Sequence, residues 1–145
     1  MTAWTKVLTL PHADRRLLAA AVWQILRAWV MLRLLPFRSI AASLNQPAVG
    51  DPAGAIDVRK VRWAVESAAR HLPLSLTCLP QAFAASWLLQ ARGGRPCLYY
   101  GVAKTESGFV AHAWVELDGV PVVGHRVADQ FTVLTTFPTR PGDEP

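Results

Sequence analysis

The hydrophobic pattern of the chain changes about two thirds of the way along it. Before residue 93, apolar residues recur at helical spacing. One clear helix carries them on a single face at Val58, Val61, Val65, Ala68 and Leu72. Asp57 stands directly before this helix as a capping residue, and Pro73 ends it. We therefore predict helices in the N-terminal half of the chain.

From residue 96 onward the pattern becomes that of extended chain. It predicts strands over 96–103, 109–117 and 120–125, with a further strand over 130–137. Asp118 and Gly119 form a strong two-residue hairpin signal between the second and third of these strands. Helices followed by hairpin-linked strands predict an α+β fold, with an antiparallel sheet after N-terminal helices.

We expect one domain over 1–145, with a helical part at 15–73, a helix and antiparallel sheet at 74–137, and a tail at 138–145. The apolar stretch at 17–26 follows Arg15 and Arg16, and Arg27 and Arg33 interrupt its continuation. It is too short and too charged to span a bilayer, and no signal-peptide cleavage pattern follows it. A packed helix is the prediction, and a membrane-surface or partner-docking helix is the alternative.

Composition narrows the functional classes. The chain has 145 residues, of which 52% are hydrophobic and 17% charged, as expected for a compact globular protein. Its two cysteines, Cys78 and Cys97, do not suggest a secreted disulfide scaffold, so we expect a reduced, cytoplasmic setting. The net charge is +5 without an aromatic-interleaved basic stripe, which favours an acidic peptide or a small protein as partner over nucleic acid. We expect no metal and no cofactor, and no membrane contact.

Cys78 is the strongest chemical signal in the chain. It opens a predicted helix, in which Pro80 suits the first turn and the segment 81–90 continues to Gly93 and Gly94. The partial positive charge of a helix N-terminus favours the thiolate form of a cysteine, and so does a nearby imidazolium. The alternative is a buried structural cysteine, which is how we interpret Cys97 in its apolar strand.

A histidine for this cysteine follows 34 residues later (112 − 78), within the sequence His112-Ala113-Trp114-Val115-Glu116. A thiol at a helix start and a histidine on a later strand are the arrangement of a nucleophile and its general base. The pair predicts a cysteine enzyme. The alternative for His112 is an ordinary strand histidine.

These motifs resemble a known family. The run Cys78-Leu79-Pro80, the Gly93-Gly94-Arg95-Pro96 end of the helix and the motif that begins at His112 are similar to those of the transglutaminase-like leader peptidases of lasso peptide biosynthesis. The resemblance covers roughly residues 15 to 135 and is closest to the split form, whose leader-recognition domain is a separate small protein. It implies a papain-like cysteine protease that removes a leader peptide and passes the core peptide to an ATP-dependent cyclase.

Mapped onto this chain, the resemblance makes Cys78 the nucleophile and His112 the base, with the backbone N–H of Cys78 as a candidate oxyanion donor. Family members commonly place an aspartate about a dozen residues after the histidine, where this chain has Gly124 and His125. Asp129 and Asp118 are the remaining candidates for the third member. A tight turn would pair His112 with His125 and leave Asp118 about 20 Å along the strand from His112, so Asp118 would serve only in a distorted hairpin.

Two other functions stay open. The chain could be a non-catalytic scaffold that binds leader and cyclase and retains a degenerate triad. It could also be a Cys-His acyl transferase, since peptidases and acyl transferases share the same thiol and imidazole chemistry.

Overall fold

The computed structural model describes residues 3–46, 56–74 and 78–138. Its elements, in chain order, are helices α1 (Ala3–Leu8), α2 (His12–Leu34), α3 (Phe37–Ala42), α4 (Val58–His71) and α5 (Cys78–Gln90), then strands β1 (Pro96–Thr105), β2 (Gly108–Leu117), β3 (Val120–Val123) and β4 (Thr132–Phe137). Short 3₁₀ helices lie at Ser43–Asn45 and His125–Gln130. The predicted α+β fold is confirmed. The predicted tail lies almost wholly outside the described residues.

Helix α2 extends well beyond the apolar stretch at 17–26. It runs without a break through Arg27 and Arg33, because both arginines lie on its solvent side while Leu17, Ala21, Ile25 and Ala28 are buried on the other. The buried side packs against α4 and α5. By length and composition alone, with a mean hydropathy of 1.5, α2 is also long and apolar enough to cross a membrane. Its inner face nevertheless forms part of the core.

Helix α4 follows the predicted pattern. The Asp57 side chain accepts hydrogen bonds from the backbone N–H groups of Arg59 and Lys60, which would otherwise have no intrahelical partner. Val61, Val65 and Ala68 are buried on one face. The cap and this face together place α4 against α2 and α5.

Helix α5 is the centre of the core. Every side chain from Ala82 to Leu89 is buried, so the helix is covered on all sides rather than along one stripe. The Phe83 ring packs on Trp87 at 5.6 Å and on Phe37 of α3 at 5.9 Å between ring centroids. These contacts fix the position of the helix that begins at Cys78.

The sheet has four antiparallel strands in the order β3-β2-β1-β4. β1 and β2 pair continuously from Pro96 opposite Leu117 to Thr105 opposite Gly108. β3 is short and pairs only with the last residues of β2, from Val115 to Leu117. β4 pairs with β1 at the far edge, so the 3₁₀ helix His125–Gln130 carries the chain from one edge of the sheet to the other.

The predicted third strand is wrong at its end. β3 stops at Val123, because Gly124 takes a left-handed conformation with φ 77° and His125 begins the 3₁₀ helix. The β2–β3 register also shifts between Val115 and Glu116. The predicted pairing of His112 with His125 is therefore wrong, and the chain passes His112 in a turn instead of a strand.

Candidate active site

Cys78 is the first residue of α5 and is half-buried at the edge of the core, with a free thiol. Its position at the helix start agrees with the sequence prediction. The backbone N–H groups of a first helical turn have no intrahelical acceptor, so they point toward any negative charge at this end. α5 therefore presents a thiol and a set of oriented donors at the same place.

His112 lies in β2, half-buried, with its ring between two aromatic side chains. Phe131 lies 5.0 Å away and Trp114 6.0 Å away, measured between ring centroids. The Trp114 ring in turn stacks on Tyr99 of β1, at 5.5 Å and an interplanar angle of 5°. This aromatic packing restricts the orientation of the imidazole.

The His112 ring is oriented by a backbone group. Its Nε2 lies 2.7 Å from the carbonyl oxygen of Gly124. Since a carbonyl oxygen only accepts hydrogen bonds, Nε2 carries the proton and donates it. In the neutral ring, Nδ1 is then the nitrogen with a free lone pair and can accept a proton.

Gly124 is suited to this contact by its lack of a side chain. With φ 77° its backbone lies close to β2, and a Cβ there would stand 2.7 Å from the Ala113 carbonyl oxygen. Other residues would meet both the strain of the left-handed conformation and this clash. The sequence position where family members commonly have an aspartate thus supplies a backbone carbonyl here.

From the lengths of α5 and β1 we infer that Cys78 and His112 lie at a similar height along the fold. From Gln90 back to Cys78, α5 rises about 18 Å over twelve residues at about 1.5 Å each. β1 follows α5 after a short turn and contacts it, and the five steps from Pro96 to Gly101 cover about 17 Å at about 3.3 Å each. Gly101 is the pairing partner of His112.

The two side chains point to different faces of the sheet. Ala113, Val115 and Leu117 belong to the hydrophobic core beneath the helices, and strand alternation places His112 with Trp114 on the opposite face. Among the described residues, the hydrogen bond of His112 goes to Gly124, and none joins it to Cys78.

In the described part of the chain, neither candidate for the third member is hydrogen-bonded to His112. Asp118 is exposed in the hairpin turn, with φ 50°, and Asp129 is exposed in the 3₁₀ helix. His125 follows Gly124, and its buried Nδ1 has no hydrogen-bond partner among the described atoms. In this structure the group that holds the imidazole is therefore the Gly124 carbonyl, and neither aspartate is bonded to it.

Sequence reasoning missed two of these contributors. Gly124 was noted only as a departure from an aspartate, although a glycine after a β-strand signals a turn or a close backbone approach. Phe131 gave no signal, because it reaches His112 only through the crossover from β3 to β4.

The comparison with protein families is decisive for the class of this fold. A model described as the transglutaminase-like superfamily matches residues 21–136. The chain belongs to this superfamily. Comparisons with curated proteins and with solved structures give no match. The transglutaminase-like domain is compatible with a cysteine peptidase or an acyltransferase, both of which use a thiol at a helix start and a histidine on a strand.

Proposed function

We propose that this transglutaminase-like protein is a cysteine peptidase that removes the leader from a lasso peptide precursor. The observation that carries the proposal is the free thiol of Cys78 at the start of α5 together with the strand imidazole of His112, whose Nε2 is bound to Gly124 and whose Nδ1 is available. The motifs at Cys78 and His112 supply the resemblance to leader peptidases. The match to the superfamily supports the thiol chemistry itself.

In the proposed reaction, Nδ1 of His112 takes the proton of the Cys78 thiol, and the resulting thiolate attacks the carbonyl carbon of the scissile bond while backbone N–H groups at the start of α5 stabilise the oxyanion. The tetrahedral intermediate collapses to a thioester as the C–N bond breaks, and His112 gives its proton to the leaving amine. Water then attacks the thioester while His112 takes a proton from it, the C–S bond breaks to release the carboxylic acid, and His112 returns the proton to the Cys78 sulfur. This mechanism requires the Cys78 thiol and the His112 imidazole to be within hydrogen-bond reach of each other, directly or through one water.

We propose three partners, all in the cytoplasm: the precursor, a separate leader-recognition protein and the cyclase that receives the core peptide. The split architecture implied by the sequence motifs requires recognition from outside the chain. The net charge of +5 favours an acidic leader or an acidic partner surface. The exposed side of α2, with Trp23, Val30 and Leu34, is a docking surface available to the recognition protein.

The experiment is incubation with the precursor peptide encoded beside this gene, with and without the recognition protein, followed by intact mass measurement. Peptide-bond hydrolysis adds 18 Da in total to the two fragments, whereas transfer to an added amine gives a fragment heavier by that amine less water. Fragments from hydrolysis support the peptidase, and amine adducts support the acyl transferase. An unchanged precursor with both proteins present contradicts both.

A non-catalytic scaffold is the second candidate, and two observations favour it. The group that holds His112 is an uncharged carbonyl, and the thiol and imidazole lie on different faces of the sheet. Alkylation by iodoacetamide separates the two functions within one molecule, because Cys78 and Cys97 are both half-buried and neither is in a disulfide. A peptidase should show Cys78 alkylated much faster than Cys97, and a scaffold should show similar rates for both.

A further inference from the structure

One side of β2 is left without a strand partner next to His112. β3 pairs only with residues from Val115 to Leu117, and Gly124 then leaves the strand conformation while its carbonyl oxygen accepts the hydrogen bond of His112. From Gly108 to His112, no described residue pairs with β2 on the β3 side. Alternate residues of such an edge direct their N–H and C=O groups outward, where they can form a ladder with another chain. We call Gly108–His112 the open edge.

The side chains of the open edge are apolar and exposed. Phe109 is 77% exposed and Val110 is 41% exposed, and the short side chain of Ala111 is also exposed. An isolated exposed apolar residue needs no explanation, but three in succession on an unpaired edge form a template for β-pairing. Protein edges that must stay unpaired usually carry charges or proline, and the open edge has neither.

We propose that the open edge binds an extended peptide as an added strand in line with β3. The added strand would lie beside His112, with its backbone bonded to β2 and alternate apolar side chains packed against Phe109 and Val110. This inference rests on the proposed peptidase function for its substrate, and it specifies how that substrate is held: through its main chain, in extended form, with few demands on its sequence.

The second exposed edge of the sheet is the outer side of β4, with Val133 and Leu134 at its surface. β4 lies two strands from β2, at about 4.8 Å per strand. Its edge is therefore about 10 Å further from His112 than the open edge is. A peptide held there would not reach the imidazole. The β4 edge is therefore the internal control for the open edge.

The test uses the Cys78→Ala variant labelled with ¹⁵N, so that no cleavage intervenes. The probe is a synthetic acetylated and amidated pentapeptide of alternating valine and threonine, and its twin carries N-methyl groups on alternate residues. We expect amide exchange at alternate positions of the open edge to slow about tenfold when free peptide exceeds its Kd about ninefold. The twin should bind at least about five times more weakly, because its outward N–H groups are gone.

A matched pair of variants tests on which edge of the sheet the peptide binds. Phe109→Glu should weaken peptide binding at least about fivefold, and Val133→Glu on the β4 edge should leave it unchanged, since both side chains are exposed and neither supports the core. Equal binding of the twin, or amide protection on β4 instead of β2, would overturn the proposal. Leader removal by the wild-type protein is measured separately, so that cleavage without binding at the open edge refutes this inference alone.

Discussion

The Nε2 of His112 donates a hydrogen bond of 2.7 Å to the backbone carbonyl oxygen of Gly124. A carboxylate in this place would both orient the ring and stabilise the imidazolium by its charge, whereas a carbonyl does the first and contributes only its dipole to the second. We therefore expect a peptidase that is correctly oriented but slower than one with a complete charged triad.

Gly124→Ala tests this contact. The substitution should lower the free energy of unfolding by about 1–3 kcal/mol through left-handed strain and contact with the Ala113 carbonyl, and should lower the cleavage rate at least about tenfold. Gly119→Ala is the matched control, because φ is 78° there and nothing lies within 4 Å of the added methyl group. Chemical denaturation and cleavage rates measure both effects. Equal activity in the two variants would show that the carbonyl does not position His112.

His112→Ala should lower the cleavage rate at least about a hundredfold, the usual scale for a general acid-base residue. His125→Ala should retain most of the activity. Among the described residues, the hydrogen bond that orients the His112 ring goes to the Gly124 carbonyl, and the His125 side chain takes no part in it. Circular dichroism checks the fold of both variants. If the His125 variant lost activity and the His112 variant kept it, the base would have to be reassigned to His125.

Asp129→Asn and Asp118→Asn should each change the cleavage rate less than about threefold. Both carboxylates are exposed, and the described hydrogen bond of His112 reaches neither. The asparagine side chain keeps the size of the aspartate, so the measurement isolates its charge. A drop of about a hundredfold in either variant would identify that aspartate as the third member after all.

The helical half of the fold could be predicted because the sequence signals for its helices lie within or next to each helix. Asp57 caps the helix it precedes, and the apolar face of α4 repeats at helical spacing. The hairpin turn at Asp118 and Gly119 and the start of α5 at Cys78 were predicted for the same reason. Local patterns fix where an element begins and which face it buries.

The surroundings of His112 could not be predicted, since they depend on contacts between distant parts of the chain. The turn at Gly124 ends a strand whose valines continue the extended pattern up to it, and the crossover to β4 brings Phe131 to the imidazole. Strand alternation did place Ala113 and Val115 on one face, but only the packing of the helices shows that this is the core face. The different faces of Cys78 and His112 follow from that packing.

A stability prediction addresses the helical half. Asp57→Ala should lower the free energy of unfolding by about 1 kcal/mol, because two backbone N–H groups at the start of α4 lose their acceptor. Asp57→Asn should be close to wild type, since asparagine caps helices about as well as aspartate. Urea denaturation measures both. Equal losses in the two variants would mean that the carboxylate charge, and not the cap geometry, supports α4.

The central claim is that Cys78 is the nucleophile, and the most direct measurement is the intact mass of the precursor after incubation with the Cys78→Ala and Cys97→Ala variants. A methyl group cannot form the thioester, so the first variant should leave the precursor whole while its circular dichroism stays normal. The second should retain most of the cleavage, because Cys97 lies within β1, away from the start of α5. Equal losses in both folded variants, or cleavage by Cys78→Ala at the wild-type rate, would contradict the account.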